Sequence, residues 1–258
     1  MKIIFLISLL IINTNLYVIG LDLFSAPEII SSGEIYLLTN DPATVFYQPA
    51  DRATGISINH SNPYGFTELN VVHIASQFPV KTHRFSLGAF VLNNNHISNN
   101  TMYLGYSRDI QDISIGSNIR YYNQKITNYN TLEAYTINIG LIWKNNKLTH
   151  GISYNNLTHT ATKTIDLPVA FKYECLIKPI ENTNFAISLM KENNFEIRYA
   201  FGVSREIGKT LVVTTGFINN PSVFSLGLSV NINNLSVKYG AKTHNELGYT
   251  QAIGINYL

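Results

Sequence analysis

Apolar and polar side chains alternate with a period of two along most of this chain. In the stretch VFSLGLSVNI, residues 223–232, every second side chain is apolar, and the side chains between them are small or polar. The same alternation recurs in FEIRYAFGVS (195–204), AYTINIGLIW (134–143) and ISIGSNIRY (113–121). A strand with one apolar face has this period, whereas an α-helix repeats every 3.6 residues. The pattern therefore predicts β-strands with two chemically different faces.

Fourteen such runs follow one another, with no helical pattern between them. They begin after a segment of mixed character that ends near residue 52. We predict strands at 53–60, 69–78, 82–92, 102–108, 113–122, 134–144, 148–155, 168–178, 184–191, 195–205, 210–218, 223–232, 235–242 and 249–258.

The charged side chains within these runs share a face with the glycines, and the face with the large apolar side chains is almost uncharged. The charged positions are Arg84, Arg120, Lys172, Glu174, Glu196, Arg198 and Lys238. Charged residues make up 13% of the chain, about half of the roughly 25% usual in soluble domains. In a soluble sandwich the face opposite the core meets water and would carry more charge than this. An apolar exterior in lipid around a polar lumen fits better, and it predicts an all-β fold: a closed antiparallel transmembrane β-barrel of about fourteen strands.

Loop lengths point to the same architecture. If the first strand rises from the periplasm, the connections at 60–68, 92–101, 123–133 and 155–167 lie at the outer end and are long. The inner connections are short, and in the second half of the chain both kinds are short. Bacterial outer-membrane barrels have this asymmetry, with an even strand number and both chain ends inside.

The amino terminus has the character of an export signal. Residues 1–20 carry a positive charge at Lys2, an apolar stretch from Ile3 to Ile12 and small residues near a cleavage point. We therefore expect a signal peptide at 1–20, a plug or lead-in segment at 21–52, a barrel at 53–258, and a location in the bacterial outer membrane. The single cysteine, Cys175, cannot form a disulfide within the chain.

The segment NDPATVFYQPA, residues 40–50, resembles the D-x-x-x-x-x-x-N-P-A segment of FadL-like outer-membrane proteins, including the PorV/PorQ group. Asp41, Pro49 and Ala50 match, and Gln48 replaces the asparagine. Similarity continues through LGYSRDIQDISIGSNIRYYNQKI, NPSVFSLGLSV and YGAKTHNELGYTQAIGINYL. The resemblance implies a fourteen-stranded barrel with an amino-terminal plug. It also implies either a role in protein secretion, as in PorV, or passage of hydrophobic substrates, as in FadL.

The candidate site residues lie in this segment and on the charged face of the strands. They are Asp41, Pro42, Tyr47, Gln48, Pro49, Ala50, Arg84, Arg120, Glu174, Glu196 and Arg198. The segment can be a plug bonded to the lumen charges, as the resemblance implies, or only a turn that leads into the first strand. We expect the lumen charges to pair with one another, because an unpaired charge in a confined lumen is costly. A selective pore is the alternative.

Glycines recur on the inward face of ten strands, and two explanations are open. They can ease the curvature of a small closed sheet, which is the simpler one, or they can let a plug or ligand approach the wall closely. The positions are Gly88, Gly105, Gly116, Gly140, Gly151, Gly202, Gly216, Gly227, Gly240 and Gly254.

The residues offer little for catalysis, metals or nucleic acid, and we expect no enzyme activity and no cofactor. His150 and Ser153 are three apart on a predicted strand and therefore point to opposite faces. The seven histidines have no metal-ligand spacing, and the net charge of +2 argues against a nucleic-acid surface.

The expected partners are outer-membrane lipid and the barrel-assembly machinery, which recognises carboxy-terminal strands similar to YTQAIGINYL. Secretion-system proteins or hydrophobic small molecules are the other expected partners. Our first interpretation is a non-enzymatic PorV/PorQ-like barrel acting in secretion or outer-membrane organisation. The alternatives are a FadL-like conduit for small hydrophobic molecules and a soluble exported β-sandwich binding module.

Overall fold

The structure is a computed structural model that describes residues 26–128, 131–145, 147–157, 160–161, 167–193, 195–244 and 246–258. The predicted signal peptide lies outside these residues, as do parts of the connections predicted at 123–133 and 155–167. No helix in the described ranges is both long and apolar enough to cross a membrane.

A short helical segment precedes the strands. It contains the α-helix α1 (Pro27–Ser31) and the 3-10 helices η1 (Tyr36–Leu38) and η2 (Pro42–Phe46), and a third 3-10 helix, η3 (Pro63–Gly65), follows the first strand. The strands are β1 (Gly55–Asn62), β2 (Val71–Val80), β3 (His83–Asn93), β4 (Ile97–Ile110), β5 (Ile113–Ile126), β6 (Leu132–Asn145), β7 (Leu148–Asn155), β8 (Thr160–Ala161), β9 (Ala170–Ile180), β10 (Thr183–Glu192), β11 (Arg198–Ile207), β12 (Leu211–Asn219), β13 (Ser222–Ile232), β14 (Leu235–His244) and β15 (Gly248–Tyr257).

The sheet closes on itself. Each long strand pairs antiparallel with its neighbours in sequence, β7 pairs with β9, and the seam is formed by β1 and β15, with Ile56 opposite Tyr257 and Asn62 opposite Gln251. The two-residue strand β8 adds only to the edge of β6. The described chain is therefore a closed antiparallel barrel of fourteen long strands, which confirms the predicted fold class. We call the end with Gly55 and Leu258 the inner end.

The large apolar side chains lie on the outside of this ring. Leu104, Phe224 and Phe201 are 69%, 63% and 55% exposed, whereas Arg120 and Ser57 on the other face are 1% and 0% exposed. A continuous apolar exterior of this kind is stable in hydrocarbon and not in water. The barrel therefore spans a membrane, and the soluble-sandwich alternative is wrong, because its core would have buried Phe224 and exposed Arg120.

Strands β4, β5 and β6 are longer than predicted. They extend to Ile97–Ile110, Ile113–Ile126 and Leu132–Asn145. The expected long loop at 92–101 is therefore a turn of residues 94–96. Asn99 and Asn123, which fall in the predicted connections, are paired in the ladder between β4 and β5.

The prediction for Glu196 is also wrong. Strand β11 begins at Arg198, so Glu196 lies in the preceding turn, where it is exposed and accepts a hydrogen bond from Asn220 Nδ2 at 2.9 Å. The alternation in FEIRYAFGVS continues past the end of the strand, which placed this carboxylate on the lumen face.

Residues 26–54 run through the interior of the barrel, and we call them the plug. Helix α1 packs on β12 to β15, η1 on β7, β9, β10 and β11, and η2 on β1, β2 and β3. The chain then enters β1 at Gly55, which has a φ of +117°. A Cβ at this position would overlap the carbonyl oxygen of Tyr257 across the seam, so the close passage requires glycine.

Strand pairing arranges the inward side chains of β2 to β6 in rows whose polarity changes along the barrel axis. One row near the outer end contains His73, Phe90, Thr101, Tyr122 and Ala134. The next row contains Ala75, Gly88, Tyr103, Arg120 and Thr136, and the third contains Gln77, Ser86, Gly105, Asn118 and Asn138. In these rows the aromatic side chains of β2 to β5 lie towards the outer end, and the row towards the inner end is polar.

Leu226→Lys is expected to destabilise the barrel strongly, because Leu226 is an outward residue near the middle of β13. A lysine facing the bilayer midplane costs about 2–4 kcal/mol, and the penalty falls towards zero at the interfaces. Ile232→Lys, at the inner end of the same strand, is the matched control and should cost much less. The measurement is folding free energy in lipid vesicles. Equal effects of the two lysines would contradict a lipid-facing exterior.

Candidate functional site

Eight of the predicted inward glycines lie against the plug. A Cβ at Gly116 would overlap Pro49, one at Gly216 would overlap Gly33, and one at Gly240 would overlap Pro27. The remaining members of this glycine seat are Gly140, Gly151, Gly202, Gly227 and Gly254. Curvature alone does not explain these positions, whereas close approach of the plug does. Gly88 and Gly105 face Tyr103 and Ser86 of the wall instead.

Asp41 and Pro42 form a turn, and this turn lies inside the lumen. The segment is therefore part of the plug and contains a turn at the same time. Asp41 Oδ1 accepts from Ala43 N at 2.9 Å and caps η2, which Pro42 starts. Asp41 is fully buried, and its other carboxylate oxygen lies 3.7 Å from Lys238 Nζ.

Lys238 of β14 anchors two separate parts of the plug. Its Nζ lies 2.9 Å from Glu28 Oε1 and donates to the carbonyl of Asn40 at 2.8 Å. Removing one partner of a buried pair typically costs about 3–5 kcal/mol. This lysine is therefore a main attachment point between plug and wall.

Glu174 is a second attachment point, on β9. Its carboxylate accepts from Tyr36 N at 2.9 Å and Leu37 N at 3.1 Å, and it lies 3.0 Å from Lys172 Nζ. Lys172 also donates to the carbonyl of Glu34, and its Nζ is 3.4 Å from the ring centroid of Tyr36. The expected pairing of lumen charges holds here, because the anion and the cation satisfy each other and the plug backbone.

Arg198 pairs with a plug carboxylate that the sequence did not single out. Glu34 lies 2.9 Å from Lys242 and 3.8 Å from Arg198. Burial acts to raise the pKa of Glu34, but the two cations outweigh it and bring the pKa to about 2. Glu34 is therefore ionised at neutral pH and ties the plug to β11 and β14.

Arg84 pairs with Asp109 of the neighbouring strand rather than with another predicted site residue. The two groups form a bidentate pair, and Arg84 also donates to Ser107 at 3.1 Å and Ser114 at 2.6 Å. Ser114 in turn donates to the carbonyl of Ala50 at 2.8 Å. This cluster supports the end of the plug that leads into β1.

The segment from Tyr47 to Ala50 lies against the first half of the wall. Gln48 Nε2 donates to the carbonyl of Ile152 at 3.2 Å, and Pro49 lies beside Gly116 and Gly140. The ring of Tyr47 stacks on Tyr36 at a centroid distance of 5.5 Å.

Arg120 behaves differently from the other lumen charges. It is buried, and no carboxylate of the described residues lies within ion-pair distance of it. Its guanidinium donates to the carbonyl of Phe46, to Tyr122 Oη at 2.9 Å and to Asn155 Oδ1 at 3.2 Å. Its Cζ lies 3.8 Å from the ring centroid of Phe46. The expectation that every lumen charge pairs with an opposite charge is therefore wrong for Arg120.

Phe46 stands at the centre of an aromatic cluster that sequence reasoning missed. Its ring centroid is 5.2 Å from Tyr103, 5.6 Å from His73 and 6.5 Å from Phe90. Period-two alternation places His73, Phe90 and Tyr103 on inward faces, and that was the available signal. Their convergence depends on the pairing register and the path of the plug.

An apolar group lies beyond this cluster, towards the outer end. Val71, Leu92 and Phe90 form one buried cluster, and Leu69 and Ile97 pack against it. Because Phe90 also contacts Phe46, apolar side chains run without interruption from the outer loops to the plug.

The inner end contains a cavity of about 400 Å³ with mixed lining. Leu37 and Ile142 contribute apolar surface, and the lining carries both cations, such as Arg52 and Lys144, and carboxylates, such as Glu206. The cavity lies between the plug and the inner end of the barrel.

Features of catalytic or metal sites are not assembled in the described part of the chain. His150 lies on the outer face, stacks on Trp143 at 4.6 Å and shares a hydrogen bond with Tyr173 Oη at 2.9 Å, whereas Ser153 is buried on the lumen face. The described residues hold no group of three or more histidine, cysteine or acidic side chains that could bind a metal.

No protein-family model matches the chain, and no curated protein matches it by sequence. Solved structures do match. The Pseudomonas putida toluene transporter TodX has a TM-score of 0.64 and 8% identity over 93% of this chain and 98% of that one. A Pseudomonas aeruginosa FadL homologue has 0.62 and 9% over 90% and 98%, and the CymD monoaromatic hydrocarbon channel 0.57 and 11% over 90% and 96%. At such identities the similarity shows a common FadL-type barrel fold.

Gly216→Ala is expected to loosen the plug, because the new methyl group would overlap the plug backbone at Gly33. Gly105→Ala is the control, since its methyl would overlap the movable hydroxyl of Ser86 on the wall, and the next atoms, Asn118 Cβ at 3.2 Å and the Ser117 carbonyl at 3.5 Å, also belong to the wall. In planar bilayers we expect conductance steps from the first variant and from a chain that lacks residues 26–52. The parent chain and the control should be nearly silent. Similar silence in all four proteins would contradict a lumen closed by the plug.

Docking of the plug is expected to be tightest near pH 4–5. Burial raises the pKa of Asp51 to about 7. Between pH 4 and pH 7 the docked carboxyl therefore keeps a proton that a solvated carboxyl has lost, and rising pH weakens docking. Glu34 acts in the opposite sense: its lowered pKa means that docking weakens as pH falls from about 4.5 to 2. Protease cleavage within the plug, followed from pH 3 to pH 8, measures this.

Asp51→Asn should remove only the loss of protection from protease that develops as pH rises from 4 to 7. Glu34→Gln should remove only the loss that develops as pH falls below about 4.5. A parent profile that is flat from pH 4 to pH 8 would contradict the role of Asp51.

Proposed function

We propose that this chain is an outer-membrane barrel that admits small hydrophobic molecules from the cell exterior. The observation that carries the proposal is the apolar lining that runs from Leu69 and Ile97 at the outer loops through Leu92 and Phe90 to the plug. A porin for polar solutes has a polar, water-filled lumen at this depth. An apolar lining instead attracts solutes that leave water readily.

The plug gives such a conduit its closed state. Charged side chains of the wall hold it, among them Glu174, Arg198, Lys238 and Lys242. These contacts are polar and can be exchanged for water, so displacement of the plug does not require the barrel to unfold. A molecule that passes the plug would reach the cavity of about 400 Å³ at the inner end.

The structural neighbours support this choice among the alternatives. Two of them are described as a toluene transporter and a monoaromatic hydrocarbon channel, and all share the barrel fold with this chain. An outer-membrane location and assembly by the barrel-assembly machinery follow from the same proposal. The PorV/PorQ-like role in secretion rests on the sequence resemblance alone and stays a prediction.

Uptake of radiolabelled toluene tests the proposal. The host is a Gram-negative strain that lacks its own channels for hydrophobic compounds, and heat-modifiable migration on gels verifies folded barrel. We expect faster uptake with the barrel than with an empty vector, and a clear loss with Leu92→Gln, which places an amide in the apolar lining. Met190→Gln, an inward change outside that cluster, is the control. Equal uptake with the barrel and the empty vector would contradict the proposal.

A further inference from the structure

The wall forms an aromatic box around one ring of the plug. His73 on β2, Phe90 on β3 and Tyr103 on β4 surround Phe46, and the guanidinium of Arg120 lies over its face. Tyr103 and His73 each form a T-shaped pair with the ring of Phe46, at interplanar angles of 75° and 74°. This geometry suits the quadrupole of an aromatic ring, which is negative on its faces and positive at its edge.

The box does not depend on Phe46 for its walls. The ring of His73 is 6.1 Å from Phe90 and 6.0 Å from Tyr103, so the wall residues contact one another directly. All of them lie on paired strands of the barrel. The plug contributes the occupant, on a 3-10 helix of five residues.

The box also lies at the end of the apolar lining. Phe90 belongs both to the box and to the cluster with Val71 and Leu92. A hydrophobic molecule that enters from the outer end and follows this apolar cluster therefore meets the plug at Phe46.

We propose that this box is a binding site for single-ring aromatic hydrocarbons, and that Phe46 is a built-in occupant that such a ligand displaces. The inference rests on the proposed function and adds the ligand class and the site. The site holds one phenyl ring, that of Phe46, and the cation over the ring face favours an arene over a saturated ring of equal size.

Displacement of Phe46 would release the plug from this part of the wall. Asn118 Nδ2 donates to the carbonyls of Val45 at 2.7 Å and Phe46 at 3.3 Å, and Arg120 donates to the latter carbonyl. These three bonds hold η2 in the position that places the phenyl ring in the box. Ligand entry and plug movement are therefore coupled through one residue.

The test measures binding of fluorobenzene to the full-length protein in micelles by fluorine NMR, with toluene and methylcyclohexane as competitors. These two have nearly the same size, but only toluene has a π face. We expect toluene to compete better than methylcyclohexane. Phe46→Ala should tighten fluorobenzene binding about tenfold, the gain expected if the box of the parent is vacant in roughly a tenth of the molecules. Phe85→Ala, a lipid-facing change on β3, is the control and should bind like the parent.

Arg120→Met should abolish the preference for toluene, and Phe90→Leu, which keeps an apolar side chain but removes a ring, provides the same test if the first variant does not fold. Equal competition by toluene and methylcyclohexane in the parent would overturn the inference. So would unchanged affinity in Phe46→Ala. If toluene uptake by cells persists while either of these results is found, the box is wrong and the proposed function stands. Loss of uptake as well would remove both.

Discussion

Hydrogen bonding of the backbone in lipid is the constraint on which the rest of this structure depends. A peptide group without a partner in hydrocarbon costs several kcal/mol, so a membrane-spanning sheet must close. Closure through β1 and β15 fixes which side chains face lipid and which face the lumen. It also creates an enclosed interior, and residues 26–54 fill that interior. The glycine seat and the inward charges are consequences of this filling: they bring the backbone of the plug close to the wall and satisfy its polar groups.

The lumen is chemically asymmetric, and this asymmetry connects the fold with the proposed function. The inward residues of the wall change from Val71 and Leu92 at the outer end, through the aromatic row with His73 and Phe90, to the pair of Arg84 and Asp109 at the inner end. On the outer side of the plug a hydrophobic molecule meets a continuous apolar surface, whereas the cavity on the inner side combines apolar and charged side chains. The charged contacts of Glu34, Glu174 and Lys238 lie on plug and wall together, so the plug can be held firmly and still be separable from the barrel.

Local patterns predicted most of the fold, because alternation is a property of each strand alone. It placed fourteen strands and assigned the faces correctly, and it failed where the local signal was ambiguous. Asn99 and Asn123 looked like loop residues but are paired in β4 and β5, and Glu196 belongs to an alternation that continues before the first residue of β11. The candidate site was less accessible. Glu34 and Phe46 take their roles from contacts with Lys242 and Arg120, more than 70 residues away, and no local pattern contains such pairings.

The most direct measurement of the central claim is quenching of tryptophan fluorescence by brominated lipid. The chain has one tryptophan, Trp143, so a Trp143→Phe background allows single reporters to be introduced on β11. Phe201→Trp, on the exposed apolar face, should be quenched strongly by bromines in the bilayer core. Ser204→Trp, which borders the inner cavity, should be quenched by aqueous iodide or by neither agent. Strong lipid quenching of Ser204→Trp with none of Phe201→Trp would contradict a closed barrel that turns its apolar face to the membrane.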